Sequence, residues 1–244
     1  MMRFRLCLIA RALTALSLAL IPLSGAMRAP IARTSVASGG VVANPMSRKA
    51  AQHELIKAQV RRRLAERGGG TYINDMLAER DSALARWPDR AGRPLTIWIQ
   101  PASSIDDWSD EFVTSVRDAV DDWDALDLPV RFAYDSDSAR ADVHVTFIDQ
   151  FDEAISGRTK WERDDSWWIT DADIVLAVHH RGGPALDEDA MRALALHEIG
   201  HLLGLDHTED ATSIMAPRVR VRELSAADRA TVRLLYTLPP GGVR

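Results

Sequence analysis

The order of apolar and polar residues after Pro94 predicts strands and helices that alternate along the chain. Short runs rich in β-branched and aromatic residues predict strands at 95–99, 130–134, 141–147 and 172–178, and alternation over 157–162 predicts a further strand at or near a sheet edge. Apolar residues at helical spacing predict helices at 110–126, 187–203 and 225–236. This succession, with a long connection between two strands, favours a mixed α/β or α+β domain.

The chain before this domain has a helical pattern. A helix over 47–67 can begin at a Ser47 cap and ends at three consecutive glycines. A second helix is expected from Thr71 to Trp87, because apolar residues recur there along one face. The segment 47–93 fits a removable pro-segment, a spacer or a packed subdomain, and the pattern does not distinguish these three.

The first 26 residues have the pattern of an export signal. Three arginines precede an apolar run of 12 residues, and small residues at Ser24 and Ala26 suit signal peptidase. The run is shorter than the ~20 residues that a transmembrane helix needs. We therefore predict a signal peptide over 1–26. An uncleaved signal anchor that tethers the protein to a membrane through residues 6–23 is the alternative.

The segment 27–46 is rich in Ser, Gly, Pro and Ala without a clear period, and it predicts a linker. The protein is accordingly expected to be secreted or periplasmic, or membrane-anchored if the signal is not cleaved. No feature of the sequence indicates an oligomeric state.

Charge and cysteine content narrow the classes of partner and of metal ligand. The formal net charge of −5 argues against a nucleic-acid-binding protein, which would usually be basic. The only cysteine, Cys7, lies within the predicted signal. The exported part therefore has no disulfide and no thiol ligand, and any metal there must be held by His, Asp or Glu.

The stretch HEIGHLLGLDH, residues 197–207, contains three of the seven histidines of the chain. His197 and His201 are four residues apart, so on a helix they lie on one face and can bind one metal ion. Glu198 is placed to contact a water at that metal, which is the role of a general base. Gly204 can take the left-handed conformation that ends a helix, and the turn brings His207 towards the same ion.

Three neutral imidazoles leave a fourth coordination position open for water, which distinguishes catalytic zinc sites from closed structural ones. From the composition of this chain, the two-histidine pattern HExxH would arise by chance in about one sequence per hundred of this length. Adding the glycine and the third histidine at fixed offsets lowers that frequency to the order of one in 10⁵. The stretch therefore predicts a catalytic zinc centre.

HEIGHLLGLDH followed by SIMAP resembles the metzincin clan of zinc peptidases, whose members share this zinc motif and a methionine-containing turn. Met215 would be the turn methionine, an apolar floor beneath the zinc. Pro217 resembles the matrixins, whereas astacin-like and serralysin-like members carry Tyr there. The missing cysteines also disfavour an astacin-like peptidase. LSAADRATVRLLY is similar to the last matrixin helix and places Asp228 where matrixins have the Asp that supports the turn.

The resemblance is strongest after Ala195, and it implies the fold and activity of residues 94–240. It implies an α+β, zincin-like metzincin catalytic domain: a mixed, twisted five-stranded sheet with three main helices, preceded here by the helical segment. Substrate would lie along the edge strand, within 157–163. The implied function is a zinc metalloendopeptidase that acts on proteins or peptides, with one catalytic Zn²⁺ and Glu198 as its base.

Some matrixin features are missing from this chain. Matrixins usually hold a second, structural zinc with three His and one Asp, but this chain has no His from 146 to 175. We therefore expect one zinc, with His144, His179 and His180 as strand or surface residues. Calcium sites are likewise unsupported, because acids in turns and edge strands are common without an ion; the candidates are Asp164, Asp165, Asp171 and Asp173.

A second function class stays open. The chain could be an exported or membrane-tethered protein that binds zinc without peptide hydrolysis, since several matrixin accessories are absent. Glu198 weighs against this alternative, because zinc binding needs only the histidines.

Overall fold

The computed structural model describes residues 45–80, 82–90 and 92–243. The predicted signal peptide, its anchor alternative and the linker up to residue 44 lie outside these residues. The described helices are α1 Pro45–Arg67, α2 Ile73–Glu79, α3 Glu111–Asp124, α4 Glu188–Leu202 and α5 Ala226–Tyr236. The described strands are β1 Ala83–Leu84, β2 Leu95–Ile99, β3 Phe132–Tyr134, β4 Val143–Ile148, β5 Gly157–Arg163, β6 Ile169–Ala177 and β7 Gly241–Gly242.

The main sheet is mixed and has five strands in the order β3-β2-β4-β6-β5. The first four strands run parallel, and β5 runs antiparallel to β6. Gly157 of β5 lies opposite Leu176 of β6, and the register shifts between Glu162 and Arg163. The predicted α+β domain with a mixed five-stranded sheet is confirmed, and β5 occupies the sheet edge that alternation over 157–162 predicted.

Helix α4 packs on β5 and β6, and α3 packs on α4. The inner face of α3 buries Phe112, Val116, Val120 and Trp123, because these residues recur at helical spacing. The indole Nε1 of Trp123 donates to the carbonyl of Leu196 at 3.0 Å, which joins the two helices at a polar contact. Helices α3, α4 and α5 are the three main helices that the resemblance implied.

The predicted second helix is wrong beyond Glu79. Helix α2 ends there, Ser82 has a positive φ of 63°, and β1 then pairs antiparallel with β7. All residues from Ser82 to Trp87 are buried. A short segment buried on every side is apolar at most positions, so it fits a helical period without being a helix. Helix α1 also begins at Pro45, two residues before the predicted Ser47 cap.

The segment before the main sheet shares the hydrophobic core of the domain. Tyr72 is 5% exposed, and Ile73, Met76, Leu84 and Trp87 are fully buried within the same cluster as α4 and α5. Helix α1 is mostly exposed and contributes Val60 to that cluster. None of the helices in the described ranges has the length and apolarity that crossing a membrane requires.

The carboxylate of Asp142, just before β4, binds to strand β2. Asp142 Oδ2 accepts hydrogen bonds from the backbone N–H and the hydroxyl of Thr96, at 3.0 and 2.9 Å, and from Arg90 at 3.0 Å. Desolvation by burial opposes ionisation, but the bonds from Arg90 and Thr96 prevail and hold the pKa of Asp142 below its usual value. The ionised form therefore stabilises the approach of β2 to β4.

We expect Asp142→Asn to lower the free energy of unfolding by about 1 kcal/mol at pH 7, because charge-assisted hydrogen bonds are lost. The folded pKa is depressed, so this contribution is complete above the unfolded pKa of about 3.9 and disappears as pH falls through the folded value. Urea unfolding from pH 7 to pH 3 should show the two proteins converging. Asp127→Asn, at an exposed side chain, is the control. A difference that stays constant with pH would contradict this role.

Candidate metal centre

Three imidazoles meet at the end of α4. The Nε2 atoms of His197, His201 and His207 lie 3.1, 3.2 and 3.3 Å apart in the three pairings. Two nitrogens bound at about 2.0–2.1 Å to a tetrahedral ion are about 3.3 Å apart. The three atoms therefore have the spacing of three corners of a zinc tetrahedron. In the described part of the chain, this is the one group of histidine, cysteine and acidic side chains with metal-ligand spacing.

Two backbone carbonyls orient the ligand rings. His197 Nδ1 lies 2.7 Å from the carbonyl oxygen of Ile214, and His201 Nδ1 lies 2.9 Å from that of Leu205. A carbonyl can only accept, so each Nδ1 carries the proton and each Nε2 turns a lone pair to the centre. Burial lowers the pKa of His197 to about 4 and that of His201 to about 3, so both rings are neutral at pH 7. Three converging lone pairs of this kind could hold a metal ion.

The turn after α4 brings in the third histidine. Gly204 has a φ of 98°, its N–H donates to His201, and the next N–H, of Leu205, donates to Gly200. These two bonds form a Schellman motif, which ends the helix with a left-handed residue. A Cβ on Gly204 would also lie 2.2 Å from the carbonyl oxygen of Ala85. Glycine is therefore required by conformation and by close approach, and the turn directs His207 to the centre.

The side chain of Glu198 extends from α4 to the edge strand β5. Its Oε2 accepts a hydrogen bond from the Thr159 hydroxyl at 2.7 Å, and the same hydroxyl lies 2.9 Å from the Glu198 carbonyl oxygen. A Cβ on Gly157 would lie 2.3 Å from Oε1, so the carboxyl group occupies the space that this glycine leaves. Burial raises the pKa of Glu198 to about 7, although the Thr159 bond opposes that rise. A carboxyl with this pKa can accept and return a proton near neutral pH.

Met215 lies beneath the ligand helix. It is fully buried, and a Cβ on Gly200 would lie 2.3 Å from its sulfur, so the glycine before His201 lets the thioether pack against α4. Met215 also accepts the Thr208 N–H through its carbonyl at 3.1 Å. The turn that contains Met215 therefore contacts helix α4 and the loop after it, which carries His207. Pro217, two residues on, is exposed at the cleft.

Asp228 holds this turn from the last helix. It is fully buried and accepts from the Ser213 hydroxyl, from the Ile214 N–H at 3.1 Å and, in a capping box, from the Ser225 N–H at 2.7 Å. Ile214 in turn offers its carbonyl to His197. The chain of contacts joins the start of α5 to His197, and the role that the resemblance implies for Asp228 at a metal centre stays a prediction.

The centre opens into a cleft of about 1170 Å³ between β5 and the segment after the methionine turn. In that segment Arg218, Arg220 and Arg222 are exposed, while Val219 and Val221 turn partly into the core. None of the three arginines forms an ion pair with another described residue. One wall of the cleft is therefore cationic.

The remaining candidates from the sequence lie apart from the histidine group. His144 contacts Asp173, and His179 lies between Asp107 and Asp149, whose hydrogen bonds raise its pKa although desolvation opposes them. His180 lies at the cleft. Asp164 accepts two backbone N–H groups and so closes a turn. That these residues hold neither a structural zinc nor calcium stays a prediction.

Sequence reasoning missed four residues of the site. Gly157 and Gly200 left a usable signal, since a glycine inside a strand or helix often marks a close approach. Thr159 and Arg80 left none. They reach the centre only through contacts distant in sequence, Thr159 with Glu198 and Arg80 with the loop at 204–206.

An α+β domain whose mixed sheet and buried helix carry such a histidine trio has the architecture of a metzincin catalytic domain. Residues 149–237 match the family model of the matrixins, peptidase family M10. The matched residues include the three histidines, Glu198 and Met215. The resemblance drawn from the sequence is confirmed, and the chain is matrixin-like.

Several curated proteins are similar in sequence. Metalloendoproteinase 5-MMP of Arabidopsis thaliana is 28% identical over 178 residues, which are 64% of this chain and 47% of that protein. Metalloendoproteinase 1 of Glycine max is 33% identical over 88 residues, 34% of this chain and 27% of that protein. Matrix metalloproteinase-16 of Homo sapiens is 36% identical over 63 residues, which are 26% of this chain and 8% of that protein. The chain spans less than half the length of each of these three relatives.

We expect the full chain to bind one Zn²⁺, because one group of three imidazoles has the required spacing. His201→Ala should remove tight binding, since two ligands remain. His144→Ala is the control and should leave the metal count unchanged. Elemental analysis after dialysis against a weak chelator measures the count. A count of two that falls to one in His144→Ala would show a second zinc and contradict the expectation.

Proposed function

We propose that this protein is an exported zinc metalloendopeptidase. The observation that carries the proposal is the convergence of three Nε2 lone pairs beside a buried carboxyl group, at the floor of an open cleft. The similarity to matrixins supports the peptidase class, and the export signal pattern of residues 1–26 supports secretion or passage to the periplasm.

His197, His201 and His207 would hold the zinc, and Glu198 would act as general base and then general acid. When bound, Zn²⁺ supplies the Lewis acidity that makes water acidic and polarises a peptide carbonyl. Glu198 takes a proton as water attacks the carbonyl carbon. The carboxyl then gives that proton to the leaving nitrogen as the peptide bond breaks. Burial of this carboxyl favours its protonated form, which suits a group that holds a proton between the two transfers.

The substrate is proposed to be an extended polypeptide lying along β5. One side of this edge strand has no partner strand among the described residues, so its backbone groups can pair with a further strand. In β5, Thr159 donates a hydrogen bond to Glu198, and Gly157 leaves room for the carboxyl group of Glu198. A peptide bound along this edge would therefore lie beside the proposed general base. The cationic wall on the opposite side of the cleft favours substrates with acidic side chains.

The alternative, a zinc-binding protein without turnover, does not account for Glu198. A buried carboxyl is costly unless it has a partner or a task, and this one has a single side-chain partner. Its raised pKa beside an open cleft is typical of a catalytic group. Peptide hydrolysis is therefore the better-supported function.

We expect Glu198→Ala to lose peptide cleavage by several orders of magnitude while retaining zinc, because the base is removed and the ligands remain. Digestion of a quenched peptide library, with and without a chelator, measures the cleavage, and elemental analysis measures the metal. Unchanged turnover would reject the assignment of Glu198, and chelator-resistant turnover would reject a metallopeptidase.

We expect Gly157→Ala to lower kcat about 10- to 100-fold with zinc content unchanged. The added Cβ leaves no room for the carboxyl group of Glu198, and a displacement of about 1 Å costs this much in catalysis. Gly92→Ala is the matched control, because a Cβ there meets nothing within 4 Å. Wild-type kcat in Gly157→Ala would show that the base does not need its present position.

A further inference from the structure

We propose that Arg80, in the segment before the main sheet, is a positioning residue of the metal centre. From this it follows that the chain from Tyr72 to Trp87 belongs to the functional peptidase and is not a removable pro-segment. The inference rests on the proposed zinc site and extends it to residues that precede the matrixin match at 149–237.

The guanidinium of Arg80 binds three consecutive residues of the loop that follows α4 and carries His207. Its Nη1 donates to the carbonyl of Gly204 at 2.9 Å, and its Nη2 donates to Asp206 Oδ1 at 2.6 Å and, more weakly, to the carbonyl of Leu205 at 3.4 Å. Its Nε forms an ion pair with Asp206 Oδ2. The Trp161 ring of β5 lies 5.2 Å from the guanidinium carbon. The planar fork of arginine is suited to such a set of acceptors.

These contacts lead directly to two metal ligands. The carbonyl of Leu205 that Arg80 contacts is the one that orients His201. Asp206 immediately precedes His207, so fixing its carboxylate fixes the backbone from which the third imidazole extends. One side chain thereby restrains both ligands at the C-terminal end of α4.

The Arg80–Asp206 pair is largely removed from solvent, with the two side chains 13% and 16% exposed. A buried ion pair contributes little net stability, but removing one partner leaves the other charge uncompensated. Without Arg80 the carboxylate of Asp206 loses the guanidinium that binds both of its oxygens and must turn towards water. That movement shifts the loop that carries His207.

The same segment reaches the rest of the centre by three further contacts. Trp87 Nε1 donates to the carbonyl of Leu202 at 2.8 Å, at the end of α4. The Ala85 carbonyl fills the space beside Gly204. The Tyr72 hydroxyl donates to Asp228 Oδ1 at 3.2 Å, and Asp228 holds the turn that orients His197. Any proteolytic cut that preserves the centre must therefore fall before Tyr72.

The test measures zinc affinity in the full chain, by competition with a chromophoric chelator. Arg80→Met should weaken zinc binding about 10- to 100-fold, which is the usual effect of losing a group that orients a ligand. Arg80→Lys keeps the charge without the fork and should lie between Arg80→Met and wild type. Arg93→Met is the control, because Arg93 is 79% exposed and binds no part of the loop.

A double-mutant cycle separates positioning from general destabilisation. If Arg80 acts through the loop at 204–206, Arg80→Met should have little further effect on zinc affinity once Asp206→Asn has removed its charged partner there. Combined with Asp142→Asn, whose carboxylate binds Arg90 and Thr96 instead, it should keep its full effect. Equal effects in both backgrounds would overturn the positioning role.

Two results would reject the inference and leave the proposed function intact. One is wild-type zinc affinity in Arg80→Met. The other is a zinc-loaded species, purified from the expressing cells or their medium, whose N-terminal sequence begins after Arg80. A zinc-loaded species that begins at or before Tyr72 supports the inference. Failure of the wild-type chain to bind zinc would instead reject the proposed function, and the role of Arg80 with it.

Discussion

The convergence of three imidazole lone pairs on one point is the constraint on which the rest of the structure depends. Without a cation, nitrogens about 3 Å apart with facing lone pairs repel, so this arrangement persists only where each ring is held from behind. The Ile214 and Leu205 carbonyls do this for His197 and His201, and a glycine turn delivers His207. Folding and metal binding are therefore expected to be coupled, because the metal compensates a repulsion that the fold creates.

The carboxyl group of Glu198 shows how the surroundings of a residue decide its chemistry. Its pKa depends on burial against β5, with a single hydroxyl partner in Thr159. The edge strand thus does two things at once. It removes the base from bulk water, and it presents an unpaired edge at the cleft. A strand in the middle of the sheet could do the first but not the second.

Much of the site could be predicted from sequence because its geometry is local. A four-residue spacing on a helix fixes His197 and His201, and a glycine three residues later accounts for His207. The strands could be predicted where β-branched and aromatic residues occupy alternating buried positions, as in β2 and β4. The methionine turn and its support by Asp228 came from the matrixin resemblance, since the residue types alone assign no role to either.

The remainder depends on contacts between distant parts of the chain. The helix predicted up to Trp87 failed because Leu84 and Trp87 are buried by the whole domain and not by one face of a helix. Arg80 is separated from the loop it binds by more than 120 residues, and no local sequence pattern predicts a contact over such a separation. Periodicity reports which side of an element is buried, but it does not report which segment covers it.

The short pairing of β1 with β7 has a consequence for biosynthesis. Ala83 and Leu84 lie opposite Gly242 and Gly241 in an antiparallel pair, so the segment next to Arg80 finds its partner strand only when residues 241–242 have been made. A nascent chain already carries all three histidines by residue 207, well before that partner exists. The contacts between the segment around Arg80 and the loop at 204–206 are thus completed by a strand pairing that forms after the three histidines have been synthesised, so this part of the domain assembles late on a nascent chain.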